Sequence, residues 1–237
     1  MKLIAIDSSG LVAGVAIIED DTLVANYSVN YKKTHSQTLL PMLDEISKMA
    51  ELDLKTVDAI AISKGPGSFT GLRIGSATAK GLGLALDIPI AEVMTLDALA
   101  YNMYGTDRIV CPMMDARREQ VYTGLYEFVK DGDEYRMETL VASEAVPVQD
   151  IIEQINKIGR SVVLLGDGVP VYKEEIVANL AVDYIFAPAH MNRQNAGSVA
   201  ALGMMKLANK ETVPAKDHVP EYLRLSQAER ERNEAAK

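Results

Sequence analysis

The apolar residues of this chain change period in one fixed order and then do so again, which restricts the fold more than any single residue does. Residues 2–6, 12–18 and 22–29 are short apolar runs separated by Ser8-Ser9-Gly10 and Asp20-Asp21, a pattern that predicts three antiparallel strands. Leu39, Met42, Leu43, Ile46 and Met49 then recur at spacings of three and four, which predicts a helix. Thr34 or Ser36 is placed to cap it, and Pro41 falls either in its first turn or at a kink. A strand at 59–63, a glycine-rich loop, a helix over 72–86, a strand at 90–93 and a helix from Thr95 to about residue 104 complete a β-β-β-α-β-α-β-α unit.

Gly105-Thr106-Asp107 reads as a boundary, and the same order follows it. Strands are predicted at 109–114, 121–128 and 135–142, a helix from Pro147 to 157, and a strand at 161–165. A helix at 171–180, a strand at 184–187 and a helix at 196–208 close the second unit. Two such units form an α/β, ribonuclease-H-like duplication, the actin-like (ASKHA) arrangement of actin, sugar kinases and heat-shock ATPases. The expected subdomains are 1–106 and 107–237. The charged tail from residue 226 onward reads as a solvated helix or as disorder.

Composition excludes several function classes. No stretch approaches the roughly 20 apolar residues of a membrane span, and Asp7 interrupts the first apolar run too early for a signal peptide. The expectation is a cytoplasmic protein. Cys111 is the single cysteine and sits in an apolar run, so it reads as a buried thiol. His35, His190 and His218 form no metal-binding pair, which leaves no predicted zinc site. A net charge of -9 disfavours tight binding to nucleic acid by this chain alone, since such affinity comes largely from neutralising phosphates.

Three motifs carry the chemistry that remains. Asp7 enters the small-residue turn Ser8-Ser9-Gly10, where it reads either as an acid near a metal and phosphate or as a turn-forming residue; the residues alone favour the second. Asp115 occupies the matching place in the second unit but is followed by Ala116-Arg117-Arg118-Glu119-Gln120, with no glycine to let backbone reach a phosphate. Asp7, Ser8, Ser9 and Asp115 therefore read as a degenerate nucleotide site. Arg117 and Arg118 read as an anion or acidic-partner contact, or as exposed hairpin residues.

The third motif is Gly65-Pro66-Gly67-Ser68-Phe69-Thr70-Gly71, a tight loop into a helix that Ser68 or Thr70 can cap. It lacks the Gly-Lys-Ser/Thr ending of a Walker A loop. Gly71, Gly75, Ala79 and Gly83 recur every fourth residue and form a small-residue ridge that Ser76 widens. Glycine inside a helix costs roughly 1 kcal/mol relative to alanine, so the ridge implies a closely packed neighbour. That neighbour is the chain's own sheet, a helix of a second subunit, or both on different faces.

The segment 64–75 closely resembles the hallmark of the TsaB (YeaZ) family. So do Ile4-Ala5-Ile6-Asp7-Ser8-Ser9, His35-Ser36-Gln37-Thr38-Leu39-Leu40-Pro41, Asp115-Ala116-Arg117-Arg118 with Val121-Tyr122, and Pro220-Glu221-Tyr222-Leu223-Arg224. The resemblance implies a non-catalytic subunit that pairs with a catalytic paralogue, TsaD, and works with the ATPase TsaE. Together they transfer a threonylcarbamoyl group to the adenosine beside the anticodon of tRNAs reading ANN codons, with tRNA reached only through the complex. It places the partner interface on the helices near 35–51 and 72–86, at His35, Leu39, Met42, Leu43, Ile46, Gly71, Leu72, Arg73, Gly75, Ser76, Ala79 and Gly83. The metal-binding histidine pair of the catalytic partner has no counterpart here, because position 39 is Leu. No tightly bound cofactor is expected, and a nucleotide is expected, if anywhere, at the subunit junction. Homodimerisation through the same ridge is a further expectation. The rival readings are an actin-like ATPase or phosphotransferase using Asp7 and Asp115, and a peptidase, for which no activated nucleophile is visible.

Overall fold

The computed structural model describes residues 1–31 and 34–224, so the expected tail lies outside the described residues. The first unit contains β1 (Lys2–Asp7), β2 (Ala13–Glu19), β3 (Thr22–Val29), α1 (His35–Met49), β4 (Ala59–Gly65), α2 (Phe69–Leu86), β5 (Ile90–Met94) and α3 (Thr95–Tyr101). The second contains β6 (Ile109–Asp115), β7 (Gln120–Asp131), β8 (Glu134–Pro147), α4 (Val148–Ile158), β9 (Val162–Leu165), α5 (Gly168–Val171), α6 (Lys173–Asn179), β10 (Tyr184–Phe186) and α7 (Ala196–Ala208). The sheets have strand orders β3-β2-β1-β4-β5 and β8-β7-β6-β9-β10, the same topology twice. In each, an antiparallel meander is extended by two parallel strands, β4 and β5 beside β1 and β9 and β10 beside β6. The fold is actin-like.

Local departures from the sequence reading are few. Pro41 lies inside α1, beyond its first turn, on the exposed face. The helix expected at 171–180 breaks at Tyr172 into α5 and α6. Pro147 ends β8 and stands at the N-cap of α4 instead of opening the helix.

Why the helices sit where they do follows from the strand pattern. β1 and β4 alternate large and small residues, Ile4-Ala5-Ile6 and Ile60-Ala61-Ile62, and successive side chains point to opposite faces. The isoleucine face buries Leu39, Met42, Leu43 and Ile46 of α1 and Ala79 of α2. The alanine face receives Val199, Ala200 and Met204 of α7. Alanine on the sheet and Gly203 on the helix allow a close approach: a Cβ at Gly203 would fall 2.4 Å from the Cβ of Ala61. The last helix of the second unit therefore closes the core of the first. In the reverse direction, Leu96, Leu99 and Ala100 of α3 pack against Val110, Met114, Tyr126 and Val163 of the second sheet. Tyr126 fixes that contact by donating its hydroxyl to Asp97 Oδ1 at 2.9 Å. On the outer face of the second sheet, Ile151, Ile152 and Ile155 of α4 and Ile176 of α6 complete the core around Cys111. Burial pushes the Cys111 thiol up to about 12, so it is an inert core group at neutral pH.

Candidate functional site

A cleft of about 660 Å³ opens between the two units, lined by both hairpin turns, the start of α2 and the segment 222–224. On the first wall, the Asp7 turn is closed by its own side chains. Ser9 donates to Asp7 Oδ1 from its backbone N–H at 2.9 Å and from its hydroxyl at 2.6 Å. Ser8 donates its hydroxyl to the Gly71 carbonyl at 2.8 Å. The Ser9 carbonyl accepts from the Ser68 N–H at 2.7 Å, and His35 Nε2 donates to the Gly10 carbonyl at 2.8 Å. Asp7 is 1% exposed, and burial raises its pKa above the usual carboxylate range. On the second wall, Asp115 Oδ1 accepts from the Arg117 N–H at 2.8 Å and the Tyr172 hydroxyl at 3.3 Å. Arg117, Arg118 and Glu119 have φ of 64°, 57° and 59°, so without a glycine the hairpin turns through three left-handed residues. Arg117 is exposed at the mouth of the cleft and pairs with Asp115 at 3.3 Å.

The segment after α7 returns across this cleft, a feature the sequence reading missed. The sequence marks residues 220–224 only as a family-like segment, and nothing in their own pattern says what they touch. The Glu221 N–H donates to the Lys64 carbonyl at 2.7 Å, and a Cβ at Gly65 would lie 2.1 Å from the Glu221 carbonyl oxygen. Gly65 also has φ of 131°, so both its conformation and its neighbour demand glycine. Tyr222 stacks on Phe69 with centroids 4.7 Å apart, and Arg224 donates to the Ala116 carbonyl at 2.7 Å. The strap thus joins the α2 end of the first unit to the second hairpin.

Its root is an ion cluster. Glu92 accepts from Lys64 Nζ at 2.8 Å and from His218 Nδ1 at 2.7 Å, which must carry the proton because a carboxylate only accepts. Burial holds the His218 ring below its ordinary pKa, while Lys64 and His218 hold Glu92 below the carboxylate range against the opposing effect of burial. Both shifts favour the folded state at higher pH. The contribution is complete above 6.5, the ordinary value for His218, and declines as pH falls below it. Glu92→Gln is expected to lower unfolding free energy in urea by about 2 kcal/mol, less than the roughly 3–5 kcal/mol of a fully buried pair because Glu92 and Lys64 keep some water, although His218 is buried. Without the carboxylate to accept its proton, His218 charges less readily in the folded state, so the loss of stability between neutral pH and pH of about 5 should steepen.

The comparisons with known proteins fit this architecture. The family model described as TsaD: tRNA N6-adenosine threonylcarbamoyltransferase matches residues 22–232. The tRNA threonylcarbamoyladenosine biosynthesis protein TsaB of Bacillus subtilis (strain 168) is 35% identical over 97% of this chain and 96% of its own. The chain belongs to the TsaB family. The TsaB protein of Haemophilus influenzae is 28% identical over 94% of both chains. A solved structure described as an uncharacterized protein with similarity to peptidase YEAZ from Pseudomonas aeruginosa superposes with a TM-score of 0.78 at 27% identity, covering 94% of this chain and 99% of that one.

For this TsaB-family chain, the structure corrects most of the expected interface residues. Leu39, Met42, Leu43 and Ile46 are 1–6% exposed and belong to the core under α1. The ridge on α2 faces inward. A Cβ at Gly71 would lie 2.1 Å from the Ser8 carbonyl oxygen, one at Gly75 2.2 Å from Ser8 Oγ, and one at Gly83 2.7 Å from the Ala215 Cβ. Leu72, Ser76 and Ala79 are buried beside them, and His35 is held by the Gly10 carbonyl. The close neighbour is therefore the chain's own β1 turn and C-terminal segment. Ser68 caps α2, accepting from the Gly71 N–H at 3.2 Å. Of the twelve expected interface residues, only Arg73 is exposed. The outward stripe of α2 is Thr70, Arg73, Ala77, Gly81 and Leu84, spaced by three and four. Leu84 is 61% exposed, and nothing lies within 4 Å of a Cβ built at Gly81. Leu40 is 57% exposed on the adjoining helix α1, next to exposed Pro41 and Asp44. Among the described residues no helix is long and apolar enough to cross a membrane.

Proposed function

We propose that this chain is a non-catalytic, activating subunit in tRNA threonylcarbamoyladenosine synthesis. It pairs with a TsaD-like catalytic paralogue and works in the cytoplasm beside a TsaE-like ATPase, touching tRNA only through that complex. Residues 1–106 supply the partner-binding subdomain, through the outward faces of α1 and α2. Any nucleotide belongs at the junction with the partner.

The observation that carries this reading is the state of the two hairpin acids. In an actin-like ATPase they would have to face a metal and phosphates. Here Asp7 is inside, bonded to its own turn, and Asp115 is held by Arg117 and Tyr172. The strap from 220 to 224 spans the same cleft. The reading is tested by ATP hydrolysis with the purified chain alone, expected at background. Ordinary enzyme rates that vanish in Asp7→Asn would sink it.

The same substitution has a second expected outcome. The folded pKa of Asp7 lies above the 3.8 of an exposed aspartate, so folding favours its protonated form and stability falls as pH rises through that window. Asparagine keeps an oxygen to accept both Ser9 bonds and removes the buried charge. Asp7→Asn should therefore raise the urea midpoint at pH 7; a lower midpoint would mean that the carboxylate is stabilising as a charge.

A further inference from the structure

Arg73 is the charged group on the outward stripe whose guanidinium is held in place. Nε donates to the Tyr222 hydroxyl at 3.3 Å, and Cζ lies 3.9 Å from the centre of the Phe69 ring. Phe69 is in turn stacked by Tyr222. Among the described residues neither Nη atom has a hydrogen-bond or ion-pair partner. The helix itself supplies none, since α2 contains Arg73 and Lys80 but no acid. A planar fork with its stem fixed and its outer donors free is arranged to take a carboxylate through two parallel bonds.

The surroundings select the kind of partner. One turn beyond Arg73 come Ala77 and then Gly81, a small-residue track along which another helix can approach to the close end of the usual 8–10 Å range. Leu84 continues that track, and exposed Asp44 and Glu45 lie on neighbouring α1. A net charge of -9 disfavours a polyanion on the chain as a whole, and a single fixed guanidinium beside a small-residue track suits a protein helix with one well-placed acid.

We infer that Arg73, clamped between Phe69 and Tyr222, is a preformed receptor for a carboxylate of the docked protein partner, and that the strap 220–224 positions it. The inference rests on the pairing face described under Proposed function. It makes partner affinity depend on a segment that also reaches Ala116 in the second unit, so cleft and interface share one connector.

The test uses the full chain and its purified TsaD-family partner, with affinity measured by calorimetry. Arg73→Lys keeps the charge but loses the fork and is expected to weaken binding about tenfold. Tyr222→Phe keeps the ring stack, loses only the hydroxyl, and is expected to weaken it about threefold, with an unchanged melting midpoint. If Tyr222 acts through Arg73, the double variant is no weaker than Arg73→Lys alone. Fully additive losses would overturn the positioning role. A neutral Arg73→Lys, in a face where Gly81→Arg abolishes pairing, would overturn the inference and leave the pairing face standing. If Gly81→Arg is also neutral, the pairing face itself is wrong. Loss of tRNA binding by the isolated chain on Arg73→Lys would show that the site takes phosphate, against the inference.

Discussion

Gly75→Leu is expected to leave the chain largely unfolded, with loss of pairing only as a consequence. Its first side-chain carbon would lie 2.2 Å from Ser8 Oγ and 3.4 Å from Ile62 Cδ1, and the rest of the leucine would meet the buried face of the first sheet. Overpacking of this kind costs about 1–3 kcal/mol and sometimes more. The displaced Ser8 would also lose its buried bond to the Gly71 carbonyl, a further ~1–3 kcal/mol. Together these are a large part of the 5–15 kcal/mol that typically holds a domain. Urea titration followed by circular dichroism should show a shift to much lower denaturant or no transition. A native transition at the wild-type midpoint would mean that α2 is free of its own sheet at this position.

The opposite result is expected one face away. In Ala77→Arg combined with Gly81→Arg, both new side chains enter solvent, because Ala77 is exposed and Gly81 has no neighbour within 4 Å. Replacing Gly81 also removes a helix penalty of up to about 1 kcal/mol, so the melting midpoint should be unchanged or higher. If the TsaD-like partner docks on this stripe, two unpaired cations must be buried against it. A penalty of at least about 3 kcal/mol, or more than a hundredfold in affinity, follows. Size-exclusion chromatography of the mixed proteins would show two separate peaks where the wild type gives one. A co-eluting complex of this variant would move the interface elsewhere.

Those two variants mark the limit of what the sequence discloses. The order of elements was legible because helix and strand periods differ, and the cap at Ser68 because serine before a helix has a local partner. The ridge of Gly71, Gly75, Ala79 and Gly83 was also legible, as a place of close approach. What approaches it was not, since spacing along a helix records that a face is small and says nothing of which backbone fills the gap. The apolar residues of α1 were subject to the same ambiguity and proved to be core. The exchange of α3 and α7 between units depends on contacts distant in sequence, although the Ile-Ala alternation of β1 and β4 announces one bulky and one thin face. The segment 220–224 was legible as a motif but not as a strap, because its partners Lys64, Phe69 and Ala116 are each about a hundred residues or more away, beyond any periodicity.

The central claim is that this chain acts by being bound and performs no chemistry with its own acids. The most direct measurement is the yield of threonylcarbamoyladenosine in tRNA from purified TsaD-like and TsaE-like partners supplemented with variants of this chain. Asp7→Asn combined with Asp115→Asn is predicted to support the wild-type yield, and Ala77→Arg with Gly81→Arg to support none. A yield lost with the two asparagines while pairing is retained, or preserved with the two arginines, would contradict it.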